Sequence, residues 1–234
     1  MRCAATFVAT IALTAPLVAS GPAAAQAPEG EGWELAIERD DLRVHRRFMP
    51  GSGIVETLTL AKINAPPRRV FFVLTDYTRY PDFMPHFVEC RVLSRVENVQ
   101  LIFQRLRISE AYHFLLKDRY HVVRNVLPSP GEGDKRYRIE WSLDAAAMQN
   151  MQVDDAVATR LNTGYWDLQE SDGGSATQIR YYLRADPGGA IPKFFANQGT
   201  VQSIPAVIDA VRERTRSAVT RGVPPEPAQT PPPR

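Results

Sequence analysis

The chain is expected to fold as an α+β domain: a curved antiparallel β-sheet wrapped around one long C-terminal α-helix, with two short helices after the third strand. Two observations lead there. From Trp33 onward most of the chain reads as short strands with alternating apolar residues. Then Asp186-Pro187-Gly188-Gly189-Ala190-Ile191-Pro192 separates a strand-like run (Gln178 to Arg184) from a long helical run (about Phe194 to Arg221). Two adjacent glycines permit a reversal that residues with a Cβ resist, and Pro187 and Pro192 fix φ on either side. So a strand ends, the chain turns, and one helix is laid back over the sheet. Such a closure builds an enclosed apolar chamber, which points to a greasy small molecule as ligand.

The elements follow in order. Trp33 to Ile37 and Leu42 to Arg47 read as two strands around the Asp40-Asp41 turn, and Ile54 to Ile63 as a longer one. Asn64-Ala65-Pro66-Pro67 opens a helix, with Asn64 or Ala65 near the cap and Val70, Phe71, Val73 and Leu74 on its apolar stripe. Asp76 to Met84 is a second short helix or tight turn. Strands are then expected at Phe87–Val96, Gln100–Ile108, Tyr112–Leu116, Arg119–Leu127 and Lys135–Leu143, with a loop from Pro128 to Asp134. Asp144 to Asp155 fits a short helix or a loop over the sheet rim. Arg160–Gln169 and Thr177–Arg184 form a hairpin around Ser171-Asp172-Gly173-Gly174. In the last helix Phe194, Gln198, Val201, Pro205, Ile208, Val211 and Thr215 make one stripe, flanked by Phe195, Ile204, Val207 and Ala218. Pro205 is expected to kink it. At ~1.5 Å per residue the helix is long enough to cross a domain. The same stripe would suit a filled core as well as a hollow one.

Met1-Arg2, an uncharged apolar run from Ala4 to Ala19 and Ala23-Ala24-Ala25 read as a signal peptide (1–25) cleaved after Ala25. The apolar run is shorter than the ~20 residues a span needs, and Pro16 and Pro22 interrupt it. The expected localisation is periplasmic or secreted. A linker (26–32), the ligand-binding domain (33–221) and a Pro-rich disordered tail (222–234) would follow. Arg2 is the one charged residue of the leader, so its removal lowers the formal net charge from +2 to +1. A near-neutral chain has no electrostatic footprint for nucleic acid. Cys3 leaves with the leader, so Cys90 is alone; it alternates with Val88 and Val92 and reads as a small core residue.

No nucleophile elbow, phosphate loop or dinucleotide glycine fingerprint occurs, and no cofactor is expected. His45, His86, His113 and His121 lack ligand spacing, so no metal site is expected and each histidine reads as structural or solvated. The rings are more suggestive. Tyr137, Ile139 and Trp141 alternate on one strand face; Trp166 lies on one face of the hairpin and Tyr165 on the other; Tyr181 alternates between Ile179 and Leu183. Large rings with one polar atom suit a pocket wall, although a packed core is the plainer reading of any single ring. The expected cavity lining is therefore Tyr137, Ile139, Trp141, Tyr165, Trp166 and Tyr181, facing Phe194, Phe195, Val201, Ile204, Val207, Ile208 and Val211. Glu56, Arg124 and Asp167 fall in register with apolar positions. A charge in an apolar interior is costly unless paired. Arg124 is therefore expected to meet Glu56 or Asp167 inside the chamber as a polar handle, unless these strands face the other way. Met148 and Met151, with the start of the last helix, are the candidate gate.

Several stretches together resemble a known family. Trp33 through Arg46 is similar to the opening of the START domain, and Ala65 to Pro81 to its pair of short helices. Lys117 to Arg124 resembles its strand with an Arg-Asp-type start, here in the order Asp118-Arg119. Tyr165-Trp166 to Pro192 resembles its closing hairpin and turn. The resemblance spans about Trp33 to Ala218 and places the chain in the wider helix-grip superfamily. It implies a curved antiparallel sheet gripping the C-terminal helix, with a tunnel for one lipid or sterol and no invariant catalytic set. The function so implied is an exported carrier that binds a hydrophobic ligand and touches membranes transiently. The rivals are an enzyme of the polyketide cyclase/aromatase or lipid-hydrolase kind using the same cavity, and a partner protein with a filled core. Export argues against polyketide chemistry, which is intracellular.

Overall fold

The computed structural model describes residues 28, 30–108, 116–127, 135–149 and 151–220, with side chains to 217. The expected signal peptide, the body of the Tyr112–Leu116 strand, the loop from Pro128 to Asp134, His113 and the Pro-rich tail lie outside the described residues.

Among the described residues ten strands form one sheet: β1 (Glu34–Arg39), β2 (Leu42–Phe48), β3 (Val55–Ile63), β4 (Phe87–Val96), β5 (Val99–Leu106), β6 (Asp118–Val126), β7 (Arg136–Leu143), β8 (Ala156–Ala158), β9 (Leu161–Ser171) and β10 (Ala176–Asp186). Their spatial order is β1-β2-β3-β10-β9-β7-β6-β5-β4, with β8 beside β6. Neighbours on that path are antiparallel; β8 runs parallel to β6 and was not foreseen from the sequence. The helices are α1 (Pro67–Thr75), α2 (Tyr80–Phe83, after a 3-10 turn at Tyr77–Arg79), α3 (Ala145–Met148) and α4 (Lys193–Thr220). The cap of α1 is Pro66, one residue later than expected. α4 continues through Pro205.

Side chains alternate along strands, so register sorts the sheet into two faces. The inner face carries Val44, Thr59, Tyr181, Trp166, Ile139 and Val123 on successive strands. These residues, except Thr59, join Val70, Val73 and Leu74 of α1 and Val201, Ile204, Ile208 and Val211 of α4 in one buried cluster. Their spacing on α4 is three or four residues, which is why one stripe meets the sheet. Burying each such side chain contributes ~1.5–3 kcal/mol. Ion pairs moor the solvent side of α4: Arg39 to Asp209 at 2.5 Å, Arg212 to Asp41 at 2.6 Å and Arg214 to Asp76 at 3.6 Å.

The outer face is partly apolar too. Leu58 and Leu60 are buried there. Phe103, Tyr120 and Val122 form a second cluster on the outer side of β5 and β6, covered by Ala147, Met148, Met151 and Val153. The tyrosine hydroxyl of Tyr120 donates to the Met151 carbonyl at 2.9 Å. The methionines expected at the gate therefore cap the back of the sheet, not the mouth of the interior.

Candidate ligand-binding interior and its open groove

The expected cavity residues fall into three groups. Tyr137, Ile139, Trp141, Trp166 and Tyr181 lie on the inner face, opposite Val201, Ile204, Val207, Ile208 and Val211. Their rings lean on one another: Trp166 lies flat on Tyr181 at 3.9 Å, Trp141 stacks on Tyr181 at 6.1 Å, and Tyr137 stacks on Phe71 of α1 at 4.8 Å. Trp141 can lie across the sheet because its neighbour is Gly164. A Cβ there would come 2.4 Å from the indole and 2.2 Å from the Tyr182 carbonyl oxygen.

Tyr165 is on the outer face, stacked on Tyr182 at 5.3 Å with the Arg138 guanidinium 3.9 Å above its ring. Phe194 and Phe195 form the third group: they are 71% and 63% exposed at the start of α4.

The expected polar handle is overturned as well. Glu56, Arg124 and Asp167 are all on the outer face. Glu56 accepts from Arg47 Nε at 2.6 Å and from the Tyr182 hydroxyl at 2.5 Å. Asp167 accepts two bonds from Arg136, at 2.9 and 2.7 Å. Arg124 stands exposed on that face. The alternation with apolar residues is real, but those residues (Leu58, Val122, Tyr165) belong to the outer face, which is buried by its own neighbours.

The interior has a different polar element. His121 is 2% exposed and faces inward on β6. Its Nδ1 is 3.1 Å from Thr159 Oγ1, and its Nε2 is 2.8 Å from Gln104 Oε1 and 2.9 Å from Asn162 Nδ2. Trp141 Nε1 donates to Asn162 Oδ1 at 2.9 Å. An indole N–H only donates, so Asn162 accepts there and turns its amide nitrogen to His121. Nε2 thus sits between the Asn162 amide nitrogen, a donor, and the Gln104 oxygen, an acceptor, and which of the two it bonds sets the tautomer. Burial lowers the His121 pKa to about 4, so the ring is neutral near neutral pH. Gln104 also bonds the Cys90 thiol, whose pKa burial raises to about 12. The chain Trp141–Asn162–His121–Gln104–Cys90 crosses β7, β9, β6, β5 and β4 on the inner wall, which also carries buried Thr59, Gln100, Arg119 and Asn125.

Arg119, two residues before His121, is buried with no carboxylate paired to it among the described residues; Asp118 pairs instead with Arg105 at 2.8 Å. The Arg119 guanidinium donates to the carbonyls of Pro187 at 2.9 Å, Gly188 at 3.4 Å and Lys117. Gly188 and Gly189 hold φ of +68° and +70°, and a Cβ on Gly188 would come 2.9 Å from the Ala158 carbonyl oxygen. So the turn that launches α4 is glycine by necessity, and a buried guanidinium pins it.

Beyond that turn α4 is tied to the β2–β3 loop. Asn197 accepts from Val55 N at 3.0 Å and donates to Gly53 O at 2.9 Å, and Lys193 Nζ donates to Ser52 O at 2.5 Å. Beside these ties a groove of ≈ 650 Å³ opens between the helix start and β1–β3. Ala36, Ile37, Phe48, Val55, Phe194 and Val201 give it an apolar lining, and Arg46 and Lys193 stand at its border. Val55 and Val201 also belong to the buried cluster, so the groove runs onto the edge of the core. Among the described residues no cluster could hold a metal ion, and no helix is long and apolar enough to cross a membrane.

Solved structures share this architecture. A STAR-related lipid transfer protein from Xanthomonas axonopodis superposes with TM-score 0.68 at 21% identity, covering 80% of this chain and 99% of that one. Human STARD10 gives 0.70 at 16% identity, covering 82% and 76%. The Zhui aromatase/cyclase from Streptomyces sp. R1128 gives 0.53 at 16% identity, covering 72% and 98%. Among curated protein sequences none matches. A family model described as polyketide cyclase / dehydrase and lipid transport matches residues 63–212, more than half of the 234 residues. The chain therefore belongs to the polyketide cyclase/dehydrase and lipid transport family, with the helix-grip fold of START domains.

Proposed function

We propose that the protein is an exported carrier of one hydrophobic ligand, a lipid or sterol-like molecule, which it takes up between sheet and α4 and passes between membranes. The carrying observation is the groove of ≈ 650 Å³, its exposed lining mainly apolar, which shares Val55 and Val201 with the core. Its size falls in the range of small-molecule sites, ~300–1,000 Å³. Apolar area left in water costs ~25 cal/mol per Å², so a lipid in transit needs such a path. The leader-like first 25 residues support a periplasmic or secreted setting.

The second reading is a cyclase, favoured by the match to an aromatase/cyclase fold. It needs an inner acid or base. Among the described residues His121 is the buried inward-facing histidine, and both its nitrogens are already engaged by Thr159, Asn162 and Gln104. That favours the carrier.

Native mass spectrometry of the full chain purified without detergent tests the proposal. A single lipid-sized increment, lost in Val201→Trp, is expected. An apo mass that stays unchanged after incubation with fatty acid or sterol delivered on cyclodextrin would overturn it.

A further inference from the structure

The groove end carries more exposed apolar surface than storage of a ligand requires. Phe194 and Phe195 are 71% and 63% exposed, and Phe48, at the end of β2, is 53% exposed. The two α4 rings meet edge to face with centroids 5.5 Å apart. They therefore pack on each other while standing off the sheet. Phe48 and Phe194 both line the groove. Clustered phenyl rings in water are costly, and large exposed patches usually have a partner.

The charges that line the groove have one sign. Arg46 and Lys193 border the groove, and none of its lining residues is acidic. The Arg46 guanidinium lies 5.8 Å from the Phe48 ring centroid, and its other neighbour, Glu34, is an exposed partner at 3.3 Å. Lys193 donates to a backbone carbonyl, Ser52 O, and among the described residues no carboxylate pairs with it.

We propose that this end of the molecule is a docking face for an anionic lipid bilayer. Phe194, Phe195 and Phe48 enter the boundary between head groups and acyl chains, and Arg46 and Lys193 meet the lipid phosphates. The inference rests on the carrier reading, since it sets the groove mouth against a membrane. Aromatic rings flanked by cations are the composition that the membrane interface selects. A second copy of this chain fits the face less well: a two-fold contact through the patch would set Arg46 and Lys193 against their own symmetry mates.

The test is co-sedimentation of the full chain with phosphatidylcholine vesicles, with and without phosphatidylglycerol, at low and high salt. Wild-type protein should prefer the anionic vesicles and release as salt rises. Phe194→Glu combined with Phe195→Glu should weaken binding at least ~ten-fold, since two exposed rings lose their burial. Lys193→Glu should remove ~five-fold of the preference for anionic lipid, leaving the circular dichroism spectrum unchanged. Indifference of wild-type protein to both vesicles, equal binding to both, or unaltered binding of the double variant would overturn the proposal. So would a dimer in sedimentation equilibrium that the same two substitutions dissolve. Loading from cyclodextrin separates the two readings. A Phe195→Glu single variant, altered outside the groove lining, that loads fatty acid from cyclodextrin but not from vesicles supports the face; wild-type protein that binds vesicles through the Phe pair yet loads nothing keeps the face and removes the carrier.

Discussion

The two ends of α4 follow one periodic stripe to opposite fates. Of the stripe residues from Val201 to Thr215, Val201, Ile208, Val211 and Thr215 are buried and Pro205 is half-buried. Phe194 and Gln198 continue the same spacing toward the N-terminus, yet both are exposed. The amphipathic pattern of the helix is thus longer than the wall it packs on. The C-terminal part spends its apolar surface on stability, and the N-terminal turns leave theirs at an open groove.

Substitutions at the two ends should therefore differ in kind. Ile208→Ala, at a fully buried position, should destabilise by ~2–5 kcal/mol in urea melts, because a cavity is left that the core fills only partly. A loss below ~1 kcal/mol would show that the helix is loosely packed there too. The inner wall also predicts a pH dependence. His121 is held neutral by burial, with its pKa lowered to about 4, while the unfolded chain binds a proton near the usual ~6.5. Between those values the unfolded state holds the extra proton, so stability falls as pH drops from ~6.5 toward 4, by up to ~3 kcal/mol, and is fully present above that window. The difference in urea stability between wild type and His121→Gln, followed across pH, should carry that slope; parallel curves would mean His121 titrates normally in the fold. The smallest effect is expected at the open end. Phe194→Ser with Phe195→Ser should change stability by no more than ~0.5 kcal/mol, since both rings are exposed already. A larger loss would join them to the core and erase the contrast between the ends.

Much of the architecture was legible because its signals are local. Alternation marked β4, β6, β7, β9 and β10, and the glycine–proline turn marked the start of α4 within a residue. β8 gave no signal: Ala156-Val157-Ala158 is too short to alternate, and only its place beside β6 makes it a strand. Which face an alternating strand turns inward is a property of the register, and there the sequence misleads. Tyr165, Glu56, Arg124 and Asp167 keep company with apolar residues that are buried on the outer side. The inner polar chain was hidden for a related reason. Cys90, Gln104, His121, Trp141 and Asn162 are far apart along the chain, and only the β4–β5–β6–β7–β9 pairings make them neighbours. Arg119 announced itself only as the start of a strand, because its partners are carbonyls of a turn nearly seventy residues on, Pro187 and Gly188 among them.

The pairing of β3 with β10 has a consequence for synthesis. Ile63 lies opposite Thr177, and the N-terminal β1–β3 unit has no other route into the sheet. A ribosome must thus deliver nearly the whole domain before these early strands find their place, and until then β3 waits with a bare hydrogen-bonding edge. Contacts so distant along the chain make for slow closure and leave the nascent form prone to sticking to its neighbours. Until β10 arrives, that edge is where the growing chain is most open to wrong pairing.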